Sequence, residues 1–250
     1  MTESVKYIKR HSGLQRTWHW SNIICASFLT ITGLFLFTPL GEIMGTNALL
    51  VGKIVHRIFG AIFAGMFFLY IIVRPSEFIH SMKHIFAKWT DDDKLFMKDF
   101  FKYLLNAKKY HMPKQDFVKS GQRVSDFFMY LIIIMFIFTG IVLWLGTARG
   151  LPQWFVTFCL MGHDLCFMGF CMLMIFHIYL GGGIFEPYTK RAALWMLGSG
   201  YVSSSDALYH WGQWAEDALE SGEGVIEVPD GMTVSETLRR QHRAENAHKA

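Results

Sequence analysis

Four stretches of the chain are long and apolar enough to cross a lipid bilayer, and no other feature restricts the fold as strongly. They cover about residues 18–38, 49–73, 127–145 and 153–180. A helix needs about 20 mostly apolar residues to cross the hydrocarbon core. We therefore predict an all-α integral membrane protein in which four spanning helices, surrounded by membrane lipid, form a bundle.

The composition agrees with this prediction and excludes several other classes of protein. Hydrophobic residues make up 52% of the chain and charged residues 18%, whereas a soluble domain carries about a quarter charged residues. No acidic or basic tail of the kind that binds nucleic acid occurs, so nucleic acid is not an expected partner. The cysteines lack the spacing of iron–sulfur, zinc or c-type haem sites, and we interpret them as buried, unreactive thiols. They are Cys25, Cys159, Cys166 and Cys171.

The segments between the apolar stretches differ in their content of Lys and Arg. The N-terminal arm and residues 74–126 are basic, whereas residues 38–52 contain neither Lys nor Arg. Arg149 is the only Lys or Arg between the third and fourth stretches, and Lys190 and Arg191 follow the fourth. Because cytoplasmic loops of membrane proteins carry the excess of Lys and Arg, we predict a multi-pass protein of the cytoplasmic (inner) membrane. Its N-terminal arm, middle loop and C-terminal tail should lie in the cytoplasm.

Two segments outside the apolar stretches also have helical patterns. Residues 91–109 place apolar side chains on one side of an amphipathic helix, and the serines before Asp206 are typical of a helix start in the tail. Residues 221–250 are polar and are expected to be extended or poorly ordered. We therefore predict one membrane domain over residues 1–215 and a polar C-terminal extension over residues 216–250.

Four of the eleven histidines lie in or at the edge of the apolar stretches, namely His19, His56, His163 and His177. An ionisable side chain inside a bilayer is costly and rarely lacks a partner. His163 and His177 are 14 residues apart. On a helix that spacing corresponds to about 21 Å along the axis and about 40° around it, so both residues share one face. His19 should lie at the depth of His177, and His56 at the depth of His163. A single such histidine is explained equally well by a structural hydrogen bond, but four at two matched depths favour two ligand pairs.

The simplest occupant of each pair is a haem iron with two axial histidines. Gly33 follows His19 by 14 residues, and its missing side chain leaves room for a flat porphyrin edge. Gly60, one turn after His56, and Gly140 in the third apolar stretch could leave such room in the same way. Ordinary close helix packing accounts for these glycines equally well. Arg57 and Lys53 are expected near the propionates of the outer haem, because buried propionates need cations or donors, and the basic N-terminal arm near those of the inner haem.

The remaining polar-segment histidines carry less information and are interpreted as solvated. They are His11, His80, His84, His111, His242 and His248. His80 and His84 have the i,i+4 spacing of a metal-binding pair, but no third ligand is evident nearby, which argues against a metal site.

Several short motifs contain or lie close to these residues. They are Arg16-Thr-Trp-His19-Trp, Gly33, Gly52-Lys-Ile-Val-His56, Ser120-Gly121-Gln122, Thr139-Gly140 with Trp144, and His163 with His177 at their 14-residue interval. Over about residues 14–215 the chain resembles the cytochrome b (gamma) subunit of membrane-bound formate dehydrogenases. Relatives of that subunit serve nickel–iron hydrogenases and other molybdenum or tungsten oxidoreductases.

The resemblance implies a function and a set of partners. His56 and His163 would bind the outer b haem, and His19 and His177 the inner one. Electrons would pass from an iron–sulfur subunit through both haems to menaquinone or a similar quinone. A separate catalytic subunit with molybdenum, tungsten or nickel–iron would oxidise the substrate. The chain itself would have no substrate-oxidising site, but would reduce or oxidise quinone at a site of its own.

The resemblance indicates that quinone binds near Ser120, Gly121 and Gln122. This turn also places two hydrogen-bonding side chains and a backbone without Cβ where a basic loop meets an apolar stretch. We therefore predict the site on the cytoplasmic side, between the inner haem, His177 and this turn. Alternatively, Ser120 and Gln122 only cap a helix.

Two other functions remain open from the sequence. One is a hydrogenase-type cytochrome b subunit, which only the identity of the catalytic partner distinguishes. The other is a haem-free membrane anchor, or a transporter whose histidines relay protons. Neither haem-free function predicts a visible chromophore.

Overall fold

A computed structural model of the chain describes residues 4–110, 112–146, 148–182, 184 and 195–247. His111, Lys190, Arg191 and His248, which entered the sequence predictions, lie outside these residues. The helices are α1 Gly13–Phe37, α2 Leu40–Ile43, α3 Thr46–Val73, α4 Pro75–Ile85, α5 Asp91–Leu105, α6 Ser120–Leu145, α7 Gln153–Gly181, α8 Ser204–His210, α9 Gly212–Ser221 and α10 Val234–Ala247. The strands are β1 Ser4–Lys9, β2 Tyr201–Ser203 and β3 Val225–Pro229, and Trp195–Ser199 forms a helical turn that is kinked at Gly198.

The chain divides into two compact units. Residues 19–87 and 123–177 form the membrane unit, and residues 1–18, 88–122 and 178–250 form the sheet unit. Each is described by itself.

Four of the described helices, α1, α3, α6 and α7, are long and apolar enough to span a membrane, which confirms the predicted all-α membrane architecture. Two of them begin earlier than predicted: α1 at Gly13 rather than near residue 18, and α6 at Ser120 rather than near residue 127. The cause is physical, because hydropathy locates the apolar part of a helix whereas backbone hydrogen bonding continues into polar turns.

Aromatic and small residues join the helices of the membrane unit. The rings of Phe28 on α1 and Phe59 on α3 are stacked with their centroids 4.2 Å apart. A Cβ atom added at Gly52 would lie 2.9 Å from the ring of Phe35, so α1 and α3 approach closely only because this residue is glycine. Most remaining apolar side chains of the spans are exposed in the isolated chain, as expected for surfaces that face lipid.

The sheet unit is built on a small antiparallel sheet that the sequence patterns did not predict. Its strand order is β2-β1-β3, with Tyr7 opposite Ser203 and Val5 opposite Val228. Ile8 on β1 and Val202 on β2 are almost completely buried and share a core cluster with Ala207 and Ala215. The N-terminal arm is therefore a central strand that two segments of the C-terminal tail flank.

The tail is more regular than the sequence predicted. Ser203 caps α8, as the serine run indicated, by accepting a hydrogen bond from the backbone N–H of Asp206 at 3.2 Å. Residues 221–250 were expected to be extended or poorly ordered, but they contain β3 and α10. Thr233 and Glu236 form a reciprocal cap before α10, in which each side chain accepts a hydrogen bond from the other's backbone N–H.

Candidate functional site

The predicted inner pair, His19 and His177, comes together in the membrane unit. His19 lies near the start of α1 and His177 near the end of α7. Their ring centroids are 6.1 Å apart, and the ring planes are inclined by 44°.

The predicted outer pair, His56 and His163, comes together in the same unit. His56 lies on α3 and His163 on α7. Their ring centroids are 6.3 Å apart, with the planes inclined by 71°. Because His163 and His177 belong to one continuous helix, the two pairs are separated by about 21 Å along its axis.

The ring separations fit a metal bound from both sides. An imidazole nitrogen binds a first-row metal at about 2 Å, and its ring centre lies a little behind that nitrogen, so two opposed ligands have centres about 6 Å apart. Both pairs have this separation, whereas histidines in direct hydrogen bonding approach more closely, as His80 and His84 do at 4.3 Å. This separation fits a haem iron, which the two histidines of each pair would hold.

Threonine hydroxyls orient the outer pair. Thr32 Oγ1 lies 2.8 Å from His56 Nδ1, and Thr139 Oγ1 lies 2.8 Å from His163 Nδ1. Each hydroxyl donates its own proton to a backbone carbonyl at 2.6 Å, that of Phe28 for Thr32 and that of Met135 for Thr139. The hydroxyl oxygen is then left to accept a hydrogen bond, so Nδ1 of each histidine carries the proton and Nε2 has the free lone pair. This is the tautomer that an Nε2-bound metal requires.

The sequence predictions did not include these threonines as site residues. A Thr in a spanning helix usually bonds the carbonyl one turn back, as Thr32 and Thr139 do, and that pattern gives no indication of a histidine partner. A threonine on the predicted ligand face, at the depth of a histidine on a neighbouring helix, would have been the signal.

The inner pair lacks a matching arrangement at His19. Its Nδ1 atom is buried and makes no hydrogen bond with any atom of the described residues. His177 is more exposed than the other three histidines. The environments of the two pairs therefore differ, and so would the electronic properties of any groups bound there.

Two of the three predicted glycines lie beside rings of the predicted ligands. A Cβ atom added at Gly33 would lie 3.6 Å from Cε1 of His56, and one added at Gly140 would lie 3.8 Å from Cε1 of His163. A side chain at either position would fill space directly next to the outer pair. Gly60 differs, since an added Cβ there would contact only Leu29, at 4.0 Å.

Arg57 follows His56 and is exposed. Its guanidinium carbon lies 6.0 Å from the ring centroid of Trp144, at the edge of the range for a cation–π contact. Arg57 therefore has a long, exposed side chain one residue from a predicted ligand.

The predicted quinone residues lie in the sheet unit at the start of α6. The Ser120 side chain is fully buried, and its Oγ lies 2.7 Å from both Asp93 Oδ1 and Gln115 Oε1. Asp93 also completes the capping box of α5 with Thr90. The Ser120 hydroxyl thus links α6 to the start of α5.

Gly121 and Gln122 have different surroundings from Ser120. A Cβ atom added at Gly121 would lie 3.2 Å from the ring of Phe96, which is tight. The Gln122 side chain is exposed. Of these three residues, Gln122 has the side chain that is accessible to a ligand.

The histidines outside the two pairs differ in their surroundings. His80 and His84 have Nε2 atoms 2.9 Å apart on the exposed side of α4. Among the residues that the structure describes, no cluster of three or more His, Cys, Asp or Glu side chains forms a metal site. His210 is buried beside Lys119 in the sheet unit.

Similarity to known proteins extends over most of the chain. The sequence profile of the family described as prokaryotic cytochrome b561 matches residues 10–214. Similar curated proteins are the cytochrome b556(Fdn) subunits of nitrate-inducible formate dehydrogenase from Escherichia coli K12, Escherichia coli O157:H7 and Shigella flexneri. Each is 24% identical over 239 residues, which cover 91% of this chain and 98% of the relative.

Proposed function

The chain belongs to the prokaryotic cytochrome b561 family, and on that premise we propose that it is the membrane electron-transfer subunit of a respiratory oxidoreductase of the formate dehydrogenase type. It would hold two b haems and pass electrons between an iron–sulfur partner subunit and a membrane quinone. Membership of a cytochrome b family and the four spanning helices support a haem-binding, multi-pass membrane protein. The number of haems, the quinone and the partners are parts of the proposal.

The observation that carries the proposal is the geometry of the two histidine pairs. Ring centroids 6.1 and 6.3 Å apart leave room for one iron in each pair. His56 and His163 are held in the Nε2-coordinating tautomer by Thr32 and Thr139, whereas proton-relaying histidines need no such fixed tautomer. A bound haem would supply one-electron transfer, while the protein residues set its position and potential.

We propose that a quinone such as menaquinone binds at Gln122 and the backbone of Gly121, with Ser120 positioning that turn. Reduction of a quinone to a quinol consumes two electrons and two protons. The Gln122 amide is a hydrogen-bond donor to a quinone carbonyl, and its exposure supports this role. Ser120 would act indirectly, because its hydroxyl is engaged with Asp93 and Gln115.

The name of the similar Escherichia coli proteins supports a formate dehydrogenase complex as the setting. There the catalytic molybdenum or tungsten subunit and an iron–sulfur subunit would be the partners, as the resemblance implied. A hydrogenase-type complex with a nickel–iron subunit remains the alternative, and the subunits that co-purify with the chain distinguish the two. The asymmetric distribution of Lys and Arg supports cytoplasmic termini in the inner membrane.

The decisive experiment is a reduced-minus-oxidised absorption spectrum of the purified chain, with a measured haem-to-protein ratio. We expect b-type bands and a ratio of two. A protein without these bands would be a haem-free anchor or transporter, and a ratio of one would eliminate the two-haem proposal. Binding of a quinone-analogue inhibitor to the same preparation tests the quinone part separately.

A further inference from the structure

Three basic side chains meet around one indole ring in the sheet unit. The guanidinium carbon of Arg10 lies 3.8 Å from the ring centroid of Trp211, and the Lys119 ammonium lies 4.8 Å from the same centroid. Nδ1 of His210 is 3.4 Å from Lys119 Nζ. Cations packed on one aromatic ring repel each other, and a cation–π contact only partly offsets the loss of their hydration.

Burial disfavours positive charge throughout this cluster. It lowers the pKa of Lys119 to about 7, with a further contribution from the charge of Arg10. Burial likewise lowers the pKa of Arg10 to about 9, against the opposing effect of Asp116, and that of His210 to about 2, with Lys119 and Arg10 adding to the shift. A bound anion would relieve this repulsion.

A cavity of about 230 Å³ lies against the same cluster. Lys119, His210 and Gln115 contribute polar groups to its wall, and Phe96, Tyr103 and Leu208 contribute apolar surface. Among the described residues that line this cavity, none is acidic. Lys114, which also lines the cavity, forms an ion pair with Glu216 of α9 at 2.5 Å. The cavity thus combines cationic and apolar surface.

We propose that this cavity binds an oxyanion, a phosphate or carboxylate group, that is attached to an apolar body. The Lys119 ammonium would pair with the oxyanion. Since a charged ammonium has only donors, Nδ1 of His210 accepts from Lys119, and the proton of the imidazole is on Nε2. The apolar surface of Phe96, Tyr103 and Leu208 would contact the body of the ligand. Neither haem nor quinone binding is needed for this inference.

The first experiment uses the purified full-length chain in detergent and two probes, inorganic phosphate and phenyl phosphate, titrated by calorimetry. We expect both to bind, with phenyl phosphate tighter because its ring adds apolar contact. Lys119→Gln should weaken binding at least tenfold. Lys98→Gln removes the same charge from an exposed position of α5 and should leave the affinity unchanged. Absence of binding by the unmodified chain, or equal binding by Lys119→Gln, would overturn the proposal.

The second experiment separates a soluble ligand from a lipid headgroup and does not depend on a folded variant. The rate of acetylation of Lys119 by acetic anhydride is measured by mass spectrometry in bilayer discs of phosphatidylcholine. The measurement is repeated with phosphatidylglycerol in the discs and, separately, with phenyl phosphate in the buffer. Protection by phosphatidylglycerol in phosphate-free buffer would identify a lipid as the source. Protection only by phenyl phosphate would identify a soluble molecule. Acetylation of Lys119 at an unchanged rate under all these conditions contradicts the oxyanion site.

Discussion

Nδ1 of His163 lies 2.8 Å from Oγ1 of Thr139, and that hydroxyl gives its own proton to the Met135 carbonyl. The imidazole is consequently held with its proton on Nδ1 and a free lone pair on Nε2. Thr32 has the same relation to His56. The outer pair is therefore oriented before any ligand binds, which reduces the entropy that binding must overcome.

This relationship predicts that the threonines tune the proposed outer haem. Thr32→Val or Thr139→Val removes the acceptor for Nδ1–H, and such changes around metal ligands typically reduce affinity about 10–100-fold. We expect weaker retention of one haem and a shifted midpoint potential for it, measured by haem titration and redox potentiometry. Thr38→Val is the control, since the Thr38 hydroxyl donates to a backbone carbonyl in the same way at an exposed position. If Thr139→Val behaves like Thr38→Val, the hydroxyl does not orient a ligand.

Substitution of either histidine of a pair should remove only the one haem that we propose for that pair. His56→Ala or His163→Ala should reduce the haem-to-protein ratio from two to one, and so should His19→Ala or His177→Ala. The two classes of variant should lose different absorption components, because the surroundings of the pairs differ at Nδ1. His242→Ala, an exposed change in α10, is the control. Full haem content after all four ligand substitutions would be incompatible with these ligands.

The quinone proposal predicts different effects at neighbouring positions. Gln122→Ala should weaken quinone turnover and inhibitor binding while both haem spectra remain. Ser120→Ala should act mainly on stability, with a loss of about 1–3 kcal/mol, because it leaves buried hydrogen-bonding groups without a partner. Thermal unfolding and inhibitor titration measure the two effects. If neither variant changes turnover or affinity, the quinone site lies elsewhere, and a pocket beside His56 becomes the next candidate.

The basic cluster predicts a pH dependence of stability. The pKa of Lys119 is lowered by burial to about 7, so between about pH 7 and its unfolded value the unfolded chain binds a proton that the folded chain does not. Stability should therefore rise with pH across that window. Lys119→Gln should flatten this rise in the thermal midpoint measured by calorimetry, whereas Lys98→Gln should not. An equal slope in both variants would show that Lys119 is not the responsible group.

The predicted orientation is testable by cysteine labelling in intact cells. A membrane-impermeant thiol reagent should reach Met44→Cys from outside but not Lys109→Cys. Met44 suits this test because it is exposed, whereas Gly45 next to it has a φ of 94° that a cysteine would strain. The unmodified chain, with its four native cysteines, measures the background. Labelling of Lys109→Cys but not of Met44→Cys would show that the orientation is opposite to the predicted one.

The sequence by itself determined the spanning helices and the candidate ligands of this protein. Hydropathy is a property of contiguous residues, and helical periodicity places His163 and His177 on one face of α7 without reference to the rest of the fold. The same local patterns predicted the amphipathic helix α5 and the serine cap of α8. They located the starts of α1 and α6 poorly, because a helix can begin before its apolar side chains begin.

Only the tertiary structure decided which groups surround those ligands and how the chain termini fold. Thr139 reaches His163, and Lys119 reaches His210, through contacts between segments distant in sequence. The strand β1 depends on partners at the other end of the chain, since Tyr7 pairs with Ser203 and Val5 with Val228. A strand is stabilised by hydrogen bonds to its neighbours rather than by bonds within itself, so its existence depends on residues that no local window contains.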